Sequence, residues 1–135
     1  MATLLSSHAI TTAQSIATVG SVLPVPPDCT NITFEGSLTY GSGGTDAKAF
    51  IQTSLDGGST FIDVICFRFT TASLRKVANI TRSTATAPTT ATVGTMSNNT
   101  QLSGIIGDII RIQVVTTGTY AGSTTLDIFA EMGSS

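Results

Sequence analysis

The chain has 135 residues, 41% of them apolar and only 10% charged, with a formal net charge of -2. That length suits one domain with a hydrophobic core of its own. The six basic residues are scattered, only Arg75 and Lys76 being adjacent, so no basic stripe supports nucleic-acid binding, and no apolar run is long enough to span a bilayer as a helix.

Threonine and serine take the place of charge, with 25 Thr and 15 Ser. Threonine is β-branched and favours a pleated strand while tolerating water. A surface poor in Lys and Glu also suits coverage by partners. Residues 1–12 are weakly patterned and read as an extended N-terminal arm, without the basic region and long apolar core of a signal peptide. The remainder, 13–135, reads as a single β-sandwich domain. Within 13–23, Ile16, Val19, Val22 and Leu23 fall near helical spacing, but the Thr, Ser and Gly content favours a strand or irregular chain. Pro24, Pro26 and Pro27 then interrupt any regular element.

Residues 31–40 alternate. Ile32, Phe34, Leu38 and Tyr40 share one face, and Asn31, Thr33, Glu35, Ser37 and Thr39 the other, which predicts a half-buried strand. Two β-rich runs follow, near 48–54 and 60–69, joined by Leu55-Asp56-Gly57-Gly58-Ser59. Glycines at such a turn reach the positive φ that hairpins require. The second run is apolar on both faces, interrupted on opposite faces by Asp63 and Arg68, as expected of a central strand or one that meets another subunit. Residues 73–83 fit a strand better than a helix. Residues 84–103 carry little pattern and read as a long loop or surface projection. Strands at 108–117 and 124–132 complete the chain, with Ile110, Ile112, Val114, Leu126, Ile128, Ala130 and Met132 facing inward. The fold class is all-β, an antiparallel sandwich or jelly roll.

Ser54-x-Asp56-x-Gly58-x-Thr60-Phe61 resembles the Asp-box hairpin of sialidases and related propellers, with Phe61 where that motif favours Trp. A single copy cannot build a propeller, so Ser54, Asp56, Gly57, Gly58, Thr60 and Phe61 are expected to form a structural hairpin. The only histidine, His8, lies in the expected arm, which gives a Ser-His-Asp triad or a His-based metal site no rigid base. No catalytic, cofactor or metal residues are assigned. The two cysteines, Cys29 and Cys66, form neither a disulfide framework nor a zinc pattern and read as reduced thiols, Cys66 being buried mid-strand. Three glycosylation sequons, beginning at Asn31, Asn79 and Asn98, read as chance matches in a Thr-rich chain. A carbohydrate-binding module is the non-catalytic rival, with Tyr40 and Tyr120 beside glycine-rich turns. A packed tyrosine at a strand end is the simpler reading of Tyr120.

The stretch from Gln52 to Asp63, the following Phe67-Arg-Phe-Thr-Thr-Ala-Ser73, and the segment from Gly107 to Gly122 with Ser-Thr-Thr-Leu-Asp-Ile after it together resemble small virion proteins of tailed bacteriophages. The resemblance implies a non-enzymatic structural protein of capsid cement or decoration type. It further implies a protein made in the host cytoplasm and placed on the virion surface, often a homotrimer, with the major capsid protein as partner. A tail or head–tail connector component is the alternative within the same particle. The arm and the 84–103 loop are the contact elements expected on that reading.

Overall fold

The computed structural model describes residues 2–10 and 14–133. The described residues form strands and turns and no helix, so none is long and apolar enough to cross a membrane. In chain order the strands are β1 (Ala2–Ala9), β2 (Gln14–Pro24), β3 (Asn31–Thr39), β4 (Ser42–Gly43), β5 (Asp46–Ser54), β6 (Ile62–Phe69), β7 (Leu74–Thr81), β8 (Thr100–Gln101), β9 (Ile109–Thr117), β10 (Tyr120–Ala121) and β11 (Thr125–Gly133).

The long strands build two antiparallel sheets. One has the order β1-β11-β3-β7, the other β2-β9-β5-β6, extended at its edge by the two-residue β8. β4 and β10 pair as a small separate ribbon. Only the β5–β6 hairpin joins two consecutive long strands within one sheet; the other long-strand connections cross from one sheet to the other.

Alternation explains the local structure. In β3, Ile32, Phe34 and Leu38 are buried while Thr33 and Thr39 are exposed, and β9 and β11 show the same period. These inward rows meet in a single core cluster between the sheets, where Phe34, Ile51, Phe69, Ile112 and Ile128 are almost fully buried. Burying each such side chain contributes about 1.5–3 kcal/mol. The strand expected over 73–83 is β7.

Two expectations are corrected. The first nine described residues are not a free arm. β1 pairs along β11, and Leu4, Leu5 and Ile10 lie in the core, because their apolar side chains find cover only between the sheets. Residues 1, 11 and 12 of the expected arm lie outside the described residues. Second, Asp63 and Arg68 do not point to opposite faces. A register shift between Ile51 and Gln52 leaves Val64 as an extra residue in β6, so Asp63 pairs with Gln52, Arg68 with Lys48, and both face outward. A bulge of this kind reverses the parity of everything beyond it. β6 lies inside its sheet, between β5 and the short β8, and the chain's own 92–96 segment is bonded to its outward Asp63.

Candidate functional site

The hairpin residues singled out in the sequence come together. Ser54 Oγ accepts from the Gly58 backbone N–H at 2.8 Å and donates to Asp56 Oδ1 at 2.8 Å. Asp56 Oδ1 accepts the Thr60 backbone N–H at 2.9 Å, and its Oδ2 accepts the Thr60 hydroxyl at 2.7 Å. Gly57 and Gly58 hold φ of 75° and 104°, backbone that side chains disfavour. The Thr60 N–H and hydroxyl, then the Ser54 hydroxyl, stabilise the Asp56 carboxylate and lower its pKa from 3.8 to about 2. Every oxygen of this carboxylate is engaged in closing its own turn.

Phe61 leads from the turn into a polar row across the outer face of the β6-containing sheet. The Arg111 guanidinium lies 3.8 Å from the Phe61 ring centroid, a stacked cation–π contact. Arg111 Nε donates to Gln52 Oε1 at 2.7 Å, and Gln52 Nε2 donates to Asp63 Oδ1 at 2.8 Å and Gln113 Oε1 at 2.9 Å. Asp63 is only 2% exposed. Besides Gln52 it accepts the Thr92 hydroxyl at 2.8 Å and the backbone N–H groups of Gly94, Thr95 and Met96 at 2.8–3.3 Å. A buried carboxylate therefore holds residues 92–96 of the 84–103 segment against the sheet, while most of residues 84–100 stay exposed. Sequence reasoning treated Asp63 as an interruption in an apolar strand. A lone acid in such a run was the available signal that something must satisfy it.

A cleft of about 690 Å³ opens along the side where β6 and β7 face each other, walled by Ile65, Cys66, Phe67, Val77 and Ala78, with Lys76, Asn99, Thr100 and Gln101 at its polar margin. Lys76 Nζ donates to Asn99 Oδ1 at 2.9 Å and stands 5.7 Å from the Phe69 ring centroid. The Cys66 thiol at this wall is buried, and desolvation pushes its pKa up, which disfavours the nucleophilic thiolate.

Other candidate groups stay apart. The described residues contain no group of three His, Cys, Asp or Glu side chains arranged to hold a metal ion. His8 lies in β1, and its Nε2 has no hydrogen-bond partner among the described residues. Asp46 pairs with Arg68 at 3.3 Å and Glu35 with Arg75 at 3.0 Å, on different sheets. Tyr120 is 1% exposed, donates to the Thr70 carbonyl at 2.8 Å, and packs edge-on against Tyr40 with centroids 6.2 Å apart. It is the packed tyrosine of the simpler reading, with no face open for a sugar to stack on. No family model, curated protein or solved structure matches this chain.

Proposed function

We propose that this chain is a non-enzymatic structural protein of a bacteriophage virion, a capsid cement protein that docks between subunits of the major capsid protein on the head surface. The observation that carries the reading is the strand order. β1-β11-β3-β7 packed on β2-β9-β5-β6 is the order obtained by rolling four antiparallel ribbons into a jelly roll, an architecture used by viral shell proteins and by lectins. The phage-like blocks in the sequence and the low charge favour the shell branch. The packed state of Tyr120 takes one of the two candidate tyrosines out of any aromatic platform that the lectin branch would use. The polar groups in hand support this reading too: Asp56 and Asp63 are occupied in holding backbone, which is scaffold chemistry.

Particles assembled with and without the protein, heated in parallel, test the role. Those lacking it should open and release their contents at a lower temperature. Equal thermal stability of the two preparations would sink the cement role. Image reconstruction of the particle should show the protein in many copies over the shell; density confined to the tail axis would favour the connector alternative instead.

A further inference from the structure

The two sheets of this sandwich end in four edge strands, and three of them are interrupted by bulges or covered by the chain. β1 pairs with β11 through two register shifts, with Ser7 at φ 47°. β2 pairs with β9 through two register shifts and carries Gly20 at φ 72°. The edge of β6 is taken up by the chain itself. Its Asp63 N–H donates to the Thr92 carbonyl, its Val64 carbonyl accepts the Leu102 N–H, Ile65 and Cys66 pair with β8, and its Arg68 N–H donates to the Asn99 side chain. Bulges and cover of this kind are how sheets avoid pairing with other chains.

β7 has neither device along its middle. It pairs with β3 over eight consecutive positions with no register shift. The Arg82 N–H donates to the Thr30 carbonyl, which places the even-numbered residues of β7 in hydrogen bonding with β3 and turns the N–H and C=O groups of Arg75, Val77 and Asn79 to the open side. The strand is tied at its ends: the Thr81 N–H donates to Ser103 Oγ, and Ser73 Oγ accepts the Tyr40 N–H. Between those ties, three main-chain positions have no partner among the described residues. Val77, in the middle of them, is 69% exposed, the largest exposure of any big apolar side chain described.

We propose that β7 is a self-pairing edge, through which two copies of this chain join their four-stranded sheets across a two-fold axis at Val77 into one continuous eight-stranded sheet. Parity and charge select the register. With Val77 opposite Val77 of the second copy, Arg75 falls opposite Asn79 and Asn79 opposite Arg75. All three pairs then bring open groups to open groups, as an isologous contact requires. The two Arg75 side chains stand about 13 Å apart along the strands, beyond a Debye length of about 8 Å at physiological salt. Each Arg75 also keeps its two-pronged pair with Glu35. Lys76 falls opposite Ala78 and stays drawn back over Phe69 by its own Asn99. Shifting the centre to Lys76 would set the two ammonium groups face to face, a destabilising pair. Shifting it to Ala78 would need the Thr81 N–H that Ser103 already holds. The contact closes at two copies, in contrast to the trimer that the phage resemblance implies, and it stands independently of the capsid role.

Sedimentation velocity of the full chain across a micromolar range should show a reversible dimer. Val77→Lys places like charges on the axis and should weaken it at least tenfold, whereas Leu55→Lys, at an equally exposed apolar site on the hairpin turn, should leave it intact. Val77→Cys should cross-link on oxidation, since directly opposed residues of a hydrogen-bonded pair lie about 5.5 Å apart at Cα, within disulfide reach. The native Cys29 and Cys66 are buried and should not compete. Hydrogen exchange on the unaltered chain gives a readout without substitution: amides of Arg75, Val77 and Asn79 should gain protection as concentration rises. A monomer throughout, a trimer, a dimer indifferent to Val77→Lys, or amides at these positions that exchange freely in the dimer would each overturn the proposal.

Discussion

Asp56 and Asp63 do the same chemistry at opposite ranges. Each is a carboxylate that collects backbone and hydroxyl donors on the β5–β6 hairpin. Asp56 takes both of its Thr60 donors from four residues away, at an exposed turn. Asp63 takes its loop donors from 29 to 33 residues away and is buried while doing so. The exposed carboxylate closes a turn that its own glycines already favour. The buried one pins residues 92–96, inside a weakly patterned stretch, onto the sheet. The contrast teaches that a buried acceptor serving several donors organises far more structure than an exposed one with equally good geometry, because water replaces lost partners only at the exposed site.

That difference is open to direct attack. Asp63→Ala strands the N–H groups of Gly94, Thr95 and Met96 together with one N–H of the Gln52 amide, and should cost about 3 kcal/mol or more in urea unfolding. Hydrogen exchange should at the same time show the 92–96 amides opening while β5 and β9 stay protected. A loss under about 1 kcal/mol would mean that the clasp is incidental to the loop's position. Gly94→Ala tests the same clasp from the loop side. Gly94 sits at φ 79°, and a methyl group there meets Ile16 Cδ1 on β2. A loss of about 1–3 kcal/mol is expected from the strained backbone and this contact.

The smallest effect belongs to Asp56. Its carboxyl should titrate by NMR with a midpoint of about 2, against 3.8 for the unperturbed group. Because the folded pKa is depressed, the turn's contribution is fully present above pH 3.8 and is lost as pH falls toward 2. Thr60→Val keeps the backbone donor but removes the hydroxyl, so it should raise that midpoint part of the way back. An unchanged midpoint in the variant would show that the Thr60 hydroxyl does not hold the carboxylate in solution.

The legible parts of this chain were those where neighbours in sequence are neighbours in space. The alternation of Ile32, Phe34 and Leu38, and of Ile110, Ile112 and Val114, marked their strands and buried faces. The Ser54–Phe61 hairpin was readable residue by residue, since its donors and acceptors lie within one turn. The Asp63 clasp was not readable, because its donors belong to a segment whose composition announces no structure. The bulge at Val64 was hidden for a related reason: an apolar run on both faces gives no alternation for an extra residue to break. β1 was misread as a free arm because a short Thr- and Ser-rich strand with two adjacent leucines carries no clean period, and its register shifts against β11 blur what period there is.

By itself the sequence determined an all-β chain, the positions of its long central strands, one hairpin and a surface with little charge. Those follow from side-chain period, β-branched content and turn glycines, all of them local quantities. The order β1-β11-β3-β7 against β2-β9-β5-β6, the docking of residues 92–96 and the unbroken pairing of β7 with β3 were decided only in three dimensions. All but one of the long-strand connections cross between sheets, so which strands become neighbours depends on how two apolar faces bury each other, and no residue's local pattern encodes that choice.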